Sequence, residues 1–457
     1  MSDESSGTAK AGGLSRGDFL KRSGAAVGGV VLGGGLAAAE PAWARPNNPG
    51  ALDASVETIT IGYVSPLTGA DAGFGEPDPY VISLAKKAFD KGFKVAGKTY
   101  KVNIIEKDAQ STPSVSAQVT QQLISGDNID LLLATSTPEV VLPAVGAAEA
   151  AGVPAVSTTV PWQAWWLGSG NSLTKPVPYQ WIFHFSFGVG NFFDTYTDMW
   201  PQVPTNKTVG VMYPNDSDGN AIRGALEPLL TGAGYKIIDP GAYEDGTTDF
   251  TSQITMFKQN NCQIFNTFPI PPDFTTFWRQ AAQQGYTSMV KIAQIAKTGL
   301  FVSQIESVGL KLGNKLATGC YWGPTWPYKS TLTGISNKEL AAGYEKRTGK
   351  YWNQQTGASM ALFDVAAAAL KASGNPKDKT AVAAALKNLN VNTPLGNLHW
   401  GTNSPTKNPV PNVVATPIPG GQWLTTKKGS GNPLEFVFCE HKDDPKVPIQ
   451  AKLKPYN

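Results

Sequence analysis

The sequence is poor in charge, cysteine and histidine. Charged residues make up 16% of its 457 residues, and the net charge of +3 is spread along the chain without a basic stripe. This distribution argues against nucleic acid as a partner. The three cysteines, Cys262, Cys320 and Cys439, form no CxxC pair, and the three histidines are scattered singly. The sequence therefore predicts no metal site of the Cys/His type, no cofactor, and at most one disulfide, whose partners it does not determine.

Two catalytic signatures are also missing. No G-x-S-x-G motif follows a predicted strand, and the nearest fragment, Gly168-Ser-Gly170, lies within a loop. No phosphate-binding G-x-x-x-x-G-K-[ST] loop occurs. These absences argue against an exported α/β hydrolase, although a mechanism with paired carboxylates stays open as an alternative. We therefore expect a protein that is not an enzyme.

Residues 1–44 have the pattern of an export signal. A basic pair at 21–22 precedes an uncharged run at 25–39, and Ala42-Trp43-Ala44 gives a small-x-small cleavage site. The run 15–21 resembles a twin-arginine signal with Gly17 in place of the second arginine, so twin-arginine and general secretion both stay open. No cysteine directly follows the apolar run, at the place where a lipid would be attached. We expect an exported protein without a lipid anchor, in the periplasm or at the outer face of the cytoplasmic membrane; an uncut anchor is the alternative.

What the chain does contain, from Ile59 onward, is the start of a parallel α/β sheet. Ile59, Ile61 and Tyr63 alternate with polar or small residues, and Pro66 ends the strand because it has no N–H. Further strands are predicted at 101–107, 129–134 and 154–157, and helices at 80–91, 114–125 and 139–151. Alternation of strands and helices predicts a doubly wound sheet. The loop after the first strand, which includes Ser65 and Phe74, is a candidate binding segment.

The same pattern then starts again. Strands are predicted at 208–213, 236–239, 263–267 and 290–293, and helices at 221–234, 250–260 and 273–285. Ile129 lies 29 residues after Tyr100, and Gln263 lies 28 residues after Tyr235. We interpret the two runs as Rossmann-like lobes of one α/β fold, with chance agreement as the alternative. Helices at 338–374 and 378–388 follow, and strands are predicted near 412–418 and 435–439.

Several motifs in order resemble the type I periplasmic binding proteins, most closely the branched-chain amino-acid-binding (leucine-binding-like) family of ABC transporters. The motifs are Ile61-Gly-Tyr-Val-Ser-Pro-Leu-Thr-Gly69, Lys107-Asp108, Gly152-Val-Pro-Ala-Val-Ser-Thr-Thr159, Val211-Met-Tyr213, Asp249-Phe-Thr-Ser-Gln-Ile254 and Phe277-Trp-Arg-Gln-Ala-Ala-Gln-Gln-Gly-Tyr286. The resemblance implies two lobes that are joined by a three-segment hinge and close on a ligand. Lobe 1 is expected to comprise 57–184 and about 319–408, and lobe 2 to comprise 185–318 and about 409–430, followed by a tail at 431–457.

The resemblance also implies where the ligand is held. Its carboxylate is expected to contact residues after the third and fourth strands of lobe 1, which here are Ser136, Thr137, Ser157, Thr158 and Thr159. Hydroxyls and free N–H groups at helix N-termini suit an anion, although the same residues are good helix caps. From lobe 2 the expected contacts are Tyr213, Asp216, Phe268 with Pro269 and Ile270, and Gln294.

Two features depart from the family pattern. Amino-acid binders carry an acidic residue where this chain has Gln294-Ile-Ala-Lys297, which argues against a free α-ammonium unless Asp216 or Asp218 replaces it. Tryptophans are abundant near the predicted cleft, at 162, 165, 166, 181, 322 and 326. We hypothesise that Trp162 and Trp322 line a cleft for an aromatic or apolar carboxylate or amide. The alternative is that the indoles pack a small satellite core.

These observations predict a receptor that captures a small organic ligand between two lobes and delivers it to an ABC permease of the inner membrane. The ligand is expected to be amino-acid-like or, preferably, an aromatic or apolar carboxylate or amide. We expect a monomer. A ligand-sensing subunit of a membrane receptor is an alternative with the same fold.

Overall fold

The computed structural model describes residues 56–268, 271–401, 408–427 and 432–457, apart from the side chains of Pro271 and Thr298. The predicted export signal lies outside the described residues, as do Pro269 and Ile270. Within the described ranges, no helix is long and apolar enough to cross a bilayer.

The first part of the chain alternates strands with helices, as predicted. It contains β1 (Thr58–Ser65), α1 (Ala72–Gly75), α2 (Asp78–Phe89), β2 (Phe93–Val95), β3 (Lys98–Asp108), α3 (Pro113–Ser125), β4 (Leu131–Thr135), α4 (Pro138–Ala151), β5 (Ala155–Thr158), α5 (Trp162–Gly168) and β6 (Ile182–Ser186). Proline at the first position sets the start of α3 and of α4, because its ring fixes a helical φ and its missing N–H would have no partner there.

The second part repeats this alternation. It contains α6 (Val189–Met199), β7 (Thr208–Met212), α7 (Ser217–Gly232), β8 (Lys236–Ile238), α8 (Thr251–Gln259), β9 (Ile264–Thr267), α9 (Pro271–Gln283), β10 (Ile292–Ile295), α10 (Val302–Ser307), α11 (Leu310–Gly313) and β11 (Ala317–Gly319). Short 3₁₀ turns at Trp200–Gln202 and Lys297–Leu300 follow α6 and β10.

The last part is mostly helical and then forms short strands. It contains α12 (Asn337–Thr348), α13 (Gln355–Ala372), α14 (Lys379–Leu386), β12 (Asn390–Thr393), β13 (Gly396–His399), β14 (Val413–Ala415), β15 (Gly420–Thr425) and β16 (Leu434–Phe438). The predicted helical region 338–374 is in fact two helices. Gly349 ends α12 with a left-handed φ of 71°, a conformation that favours glycine at a helix C-terminus.

Within the described residues, the strands form two seven-stranded sheets and one hairpin. The first sheet has the order β14-β6-β5-β4-β1-β3-β2, the second has the order β16-β15-β11-β10-β9-β7-β8, and β12 pairs with β13. Most neighbouring strands are parallel; the antiparallel pairs are β2 with β3, β15 with both of its neighbours β11 and β16, and β12 with β13. In each sheet the first strand has later strands on both sides: β1 lies between β4 and β3, and β7 lies between β9 and β8. The strand order reverses at this point, and a crevice opens there at the carboxyl ends of the strands. The predicted fold of two doubly wound α/β lobes is confirmed.

The centre of the first sheet is buried on both faces. Leu131 and Leu133 of β4 belong to the hydrophobic cluster on the side of α13, whereas Leu132 and Ala134 belong to the cluster on the side of α4. Each fully buried leucine contributes roughly 1.5–3 kcal/mol. Because α13 packs against β4 and β5, its Ala-rich sequence belongs to lobe 1. This packing fixes the strand ends on which the site is built.

The chain passes between the sheets three times, after β6, after β11 and between β14 and β15. Two of our expected boundaries need correction. The segment from residue 409 begins in lobe 1, because Val413–Ala415 pair with β6, and it enters lobe 2 only beyond Ala415. The segment 431–457 is not a separate tail, because β16 pairs with β15 and adds an edge strand to the second sheet.

Candidate functional site

A cavity of about 40 Å³ lies between the lobes. All three chain crossings reach it, through Phe187, Gly319 and Ile418. The remaining lining residues come from both lobes: Phe74, Ser136, Thr137, Thr159 and Pro161 from lobe 1, and Phe192, Asp218, Phe268, Ala296, Lys297, Leu300 and Thr318 from lobe 2. This volume has room for a few water molecules, so a ligand the size of an amino acid would hold the lobes further apart than they are here.

Phenyl rings form most of the apolar wall. Phe192 lies edge-on to Phe187 and to Phe268, with ring centroids 5.3 and 5.0 Å apart. Phe74, from the loop after β1, meets Phe301 of lobe 2 edge-on with centroids 4.9 Å apart. Aromatic pairs of this geometry add roughly 0.5–1.5 kcal/mol to the burial of their area. The phenyl wall therefore joins the two lobes and presents flat apolar faces to the cavity.

Two buried polar atoms in this apolar cavity have no hydrogen-bond partner. They are the hydroxyl oxygen of Ser136, which directly follows β4, and the Oδ1 atom of Asp218, in the first turn of α7. Ser136 is 1% exposed and Asp218 is 5% exposed. An unpartnered buried polar atom costs about 1–3 kcal/mol. A ligand that bonds to both atoms would recover this free energy, and the two atoms come from different lobes.

Thr159 is held in a strained conformation at the cavity wall. Its φ of 79° is left-handed, which is unusual for a β-branched residue. The Thr159 hydroxyl donates to Gln355 Oε1 at 3.0 Å, and the Tyr321 hydroxyl donates to the same oxygen at 3.1 Å. Gln355 Nε2 in turn donates to Thr135 Oγ1 at 2.7 Å. Because Tyr321 also stacks on Phe187, this network joins the cavity wall to two of the three crossings.

One ammonium faces four carboxylates at the polar end of the cavity. Lys297 Nζ lies 2.8 Å from Asp216 Oδ2 and 2.9 Å from Asp218 Oδ2, both in lobe 2. It also interacts electrostatically with Asp71 and Glu139 of lobe 1. Asp71 Oδ2 accepts a hydrogen bond from the hydroxyl of the cavity residue Thr137 at 3.1 Å.

Burial and charge act in opposite directions on these groups. Burial raises the pKa of Asp218 to about 6, and the Lys297 ammonium partly offsets this rise. The pKa values of Asp71 and Glu139 are raised for the same reason and are also opposed by Lys297. Although burial lowers it, the four carboxylates hold the pKa of Lys297 well above its usual value. Lys297 is therefore charged, and the cluster keeps an excess of acid.

The structure brings part of the predicted site together. Phe74, Ser136, Thr137, Thr159 and Phe268 all line the cavity. Asp216 lies just behind this lining, where its Oδ1 caps α7 by accepting from the Gly219 N–H and its Oδ2 contacts Lys297.

Five other predicted contacts lie in the interior of the lobes. Ser65 is fully buried at the end of β1. The Thr158 hydroxyl donates to the Phe185 carbonyl at 2.8 Å, and the Tyr213 hydroxyl donates to Asn266 Oδ1 at 2.7 Å. Gln294 Oε1 accepts from Trp200 Nε1 at 3.2 Å. Because β5 ends at Thr158, the side chains of its last two residues still bond within the sheet.

Ser157 is the fifth of these predicted contacts that lie in the interior. Its partner is His184, so the two residues resemble the serine and histidine of a catalytic pair. Ser157 Oγ lies 2.9 Å from His184 Nδ1. Both residues are 0% exposed, and His184 Nε2 lies 2.8 Å from the Val160 carbonyl. Burial lowers the pKa of His184 to about 3, so the imidazole is neutral. The pair has no access to a substrate and acts as a structural hydrogen bond.

The two tryptophans that we expected in the cleft are not in the cavity lining. Trp322 is fully buried and meets Trp352 edge-on, and its indole fills the space that a side chain at Gly357 of α13 would need. Trp162 packs closely on Gly188 in the first crossing. The alternative, that these indoles are packing residues, therefore applies.

Several site residues were not predicted. Phe187 and Phe192 lie in a stretch for which no element was predicted, and Gln355 starts a helix predicted to continue from residue 338. Asp71 lies two residues after Gly69, within the predicted binding segment after the first strand, and a carboxyl group in such a loop is itself a signal for a polar contact. Asp218 was considered only as a substitute for a missing acid.

No cluster of metal-ligating side chains occurs among the described residues. Cys262, Cys320 and Cys439 are all free and buried. Burial raises the pKa of Cys262 and of Cys439 to about 12, so these thiols are protonated and unreactive.

Two doubly wound lobes that are joined by three crossings and enclose a cavity define a two-lobed ligand-binding protein. The comparisons with known proteins agree. The family model described as "Periplasmic binding protein" matches residues 58–420. The chain therefore belongs to the periplasmic binding protein family, and the predicted class is confirmed.

Solved structures show the same fold. A solute-binding protein of an ABC transporter from Rhodopseudomonas palustris BisB5, in complex with 3,4-dihydroxybenzoic acid, is 20% identical with a TM-score of 0.66, over 84% of this chain and 98% of that one. The leucine-binding protein LivK from Thermotoga maritima is 17% identical with a TM-score of 0.65, over 85% and 99%. The LivJ protein from Streptococcus pneumoniae, in complex with isoleucine, is 16% identical with a TM-score of 0.64, over 84% and 100%.

Proposed function

We propose that this protein is an exported solute-binding receptor that closes its lobes on a compact amino-acid-like ligand and delivers it to an ABC permease. The observation that carries the ligand class is the pair of unpartnered buried atoms, Ser136 Oγ and Asp218 Oδ1, in a cavity walled by phenyl rings. A zwitterionic head group with an apolar side chain offers a partner to each of these features.

The carboxylate end is assigned to lobe 1. Ser136 lies two residues before Pro138, the first residue of the 14-residue helix α4, and is therefore near the positive end of the helix dipole. The Ser136 hydroxyl would donate to the ligand carboxylate there. Thr159, on the neighbouring strand end, is the second hydroxyl on this side.

The ammonium end is assigned to lobe 2. Asp218 Oδ1 is an acceptor without a donor, and the cluster has four carboxylates for one lysine. A ligand ammonium at Asp218 would reduce this imbalance. Asp218, in the first turn of α7, is thus one of the two residues that the sequence left open as replacements for the acidic residue missing after β10.

The body of the ligand would lie against Phe187, Phe192 and Phe268. Their faces suit either a branched chain or a ring. The isoleucine complex of the Streptococcus protein and the dihydroxybenzoate complex of the Rhodopseudomonas protein illustrate both kinds of ligand on this fold. An aromatic acid is therefore the second candidate, with Lys297 as the counter-ion of its carboxylate.

Closure follows from the placement of the two polar atoms in different lobes. Only the closed form brings Ser136 and Asp218 to one ligand, so binding shifts the population toward that form. A permease that recognises the closed form would then accept the loaded receptor. We propose that the protein acts as a monomer in the periplasm; recovery with a signalling receptor in place of a permease would favour the sensing role.

A thermal-shift series with matched ligands tests the ligand class. The chain from Arg45 onward would be titrated with phenylalanine, leucine, 3-phenylpropanoate, phenethylamine and 3,4-dihydroxybenzoate. A ligand at about 100 times its Kd adds roughly 2.7 kcal/mol, which raises the Tm by a few degrees. We expect the two amino acids to shift the Tm most, and Ser136→Ala and Asp218→Asn to remove the shift. A shift by the carboxylates alone would replace the amino-acid proposal with the aromatic-acid one.

A further inference from the structure

Lys297 occupies an unusual position in the cavity. Its φ of 38° is positive, and its side chain is 9% exposed. The ammonium lies within 3 Å of two carboxylates, Asp216 and Asp218, and Asp218 also lines the cavity. A lysine side chain loses about 2 kcal/mol of rotamer entropy when it is fixed, so this placement needs strong compensating contacts.

Both lobes contribute to the charge that surrounds it. Asp216 and Asp218 belong to lobe 2, whereas Asp71 and Glu139 belong to lobe 1. With Lys297, these four carboxylates leave a formal charge of −3 when all five groups are ionised, and Asp245 of lobe 2, which also interacts with Lys297, adds to it. Asp218 keeps one oxygen without a partner even with Lys297 in place. The lysine therefore offsets only part of the acidic charge that closure brings together.

We propose that Lys297 determines the charge selectivity of the cavity, because its ammonium sets how much uncompensated acid remains for the ligand. This inference rests on the proposed function, in which the ligand head group lies beside Asp218. The side chain acts as an internal cation that weakens the attraction for a ligand amine and allows a ligand carboxylate to enter.

The sign of each effect follows from Coulomb's law. Removing the ammonium with Lys297→Met leaves the carboxylates uncompensated, which strengthens the binding of a cation and weakens the binding of an anion. Removing one of the carboxylates with Asp71→Asn has the opposite effect. A unit charge a few ångströms from a group changes its free energy by the equivalent of about one to three pKa units, so we expect changes of about tenfold or more.

The experiment compares two probes of the same shape and opposite charge, 3-phenylpropanoate and phenethylamine. Their Kd values would be measured by calorimetry at low salt for the wild type, Lys297→Met, Lys297→Arg and Asp71→Asn. Relative to the wild type, we expect Lys297→Met to change the Kd ratio in favour of the amine by at least about tenfold. Asp71→Asn is expected to change it in favour of the carboxylate, and Lys297→Arg, which keeps the charge, is expected to leave it within about threefold.

The outcomes separate this inference from the proposed function. If the wild type binds phenylalanine but the probe ratio is the same in all four proteins, the selectivity role is wrong and the receptor function stands. If the wild type binds only 3-phenylpropanoate and Lys297→Met loses it, the amino-acid ligand is wrong and the role of Lys297 stands. If no probe binds any of the four proteins, both are overturned. Should Lys297→Met fail to fold, Asp71→Asn alone decides by the direction of its change.

Discussion

Replacing Gln355 with methionine should weaken both the fold and the cavity wall. Gln355 is fully buried at the start of α13, and its amide bonds to four hydroxyl groups: Oε1 accepts from Thr159 and Tyr321, and Nε2 donates to Thr135 and Ser359. Methionine has nearly the same length but offers no such bonds. The four hydroxyls would then be left with fewer partners in a closed environment.

The magnitude can be worked out from these bonds. A buried hydrogen bond contributes about 1 kcal/mol net, and hydroxyls that can rotate toward other acceptors recover part of the loss, so we expect a destabilisation of roughly 2–4 kcal/mol. For a chain of about 400 residues the entropy of unfolding is about 0.8 kcal/mol per kelvin, which converts this loss into a Tm decrease of about 3–5 °C.

Differential scanning calorimetry measures this decrease, and Gln121→Met is a matched control because Gln121 is an exposed glutamine on α3. Gln355→Met should also lower the affinity for phenylalanine, since Thr159 loses the acceptor that holds its strained backbone. A Tm for Gln355→Met within about 1 °C of that of the control would refute the importance of the network.

Two further predictions concern pH. Because burial raises the pKa of Asp218 to about 6, its carboxylate is protonated in acid, and calorimetric titrations of the wild type should show the affinity for phenylalanine decreasing by up to about tenfold per pH unit below pH 6; an affinity that does not change with pH would contradict this. Burial also raises the pKa of Asp78 to about 7, so the folded state holds a proton that the unfolded state releases above about pH 4. Stability from this group is present in acid and is lost as pH rises through 7, by about 4 kcal/mol at most. In urea titrations, Asp78→Asn should lose less stability between pH 5 and 8 than the wild type, and parallel pH profiles would contradict this reasoning.

Regular periodicity made much of the fold predictable. The continuous apolar run of β4 and the amphipathic α2 and α3 identify their elements without tertiary information. The rule that parallel sheets bind ligands at their carboxyl strand ends then led to Ser136 and Thr137, which line the cavity; their contact with a ligand stays a prediction.

The elements at the crossings were missed for a physical reason. The strand β6 has only five residues, and α6 has Gly188 as its N-cap and the weak helix formers Gly190 and Asn191 in its first turn. Both depend on tertiary contacts, and with them Phe187 and Phe192 could not be assigned to the site.

Side-chain direction was the other limit. Ser157, Thr158 and Thr159 are adjacent in sequence, yet only Thr159 reaches the cavity, because the strand ends before it and its φ turns positive. Likewise, the sequence does not show whether an indole in a loop packs against a ligand or within a hydrophobic core. The indole of Trp322 is buried in the core, where it packs against Trp352.

The late position of the third crossing has a consequence for how the receptor matures. Both sheets contain strands from beyond residue 412, since β14 completes the first sheet while β15 and β16 complete the second. A growing chain of 400 residues therefore has two unfinished sheets with open edges, and contacts between distant segments make such closure slow. Neither lobe has all of its strands until residues beyond 412 are available, so the ligand-binding cavity can form only after nearly the whole chain is present.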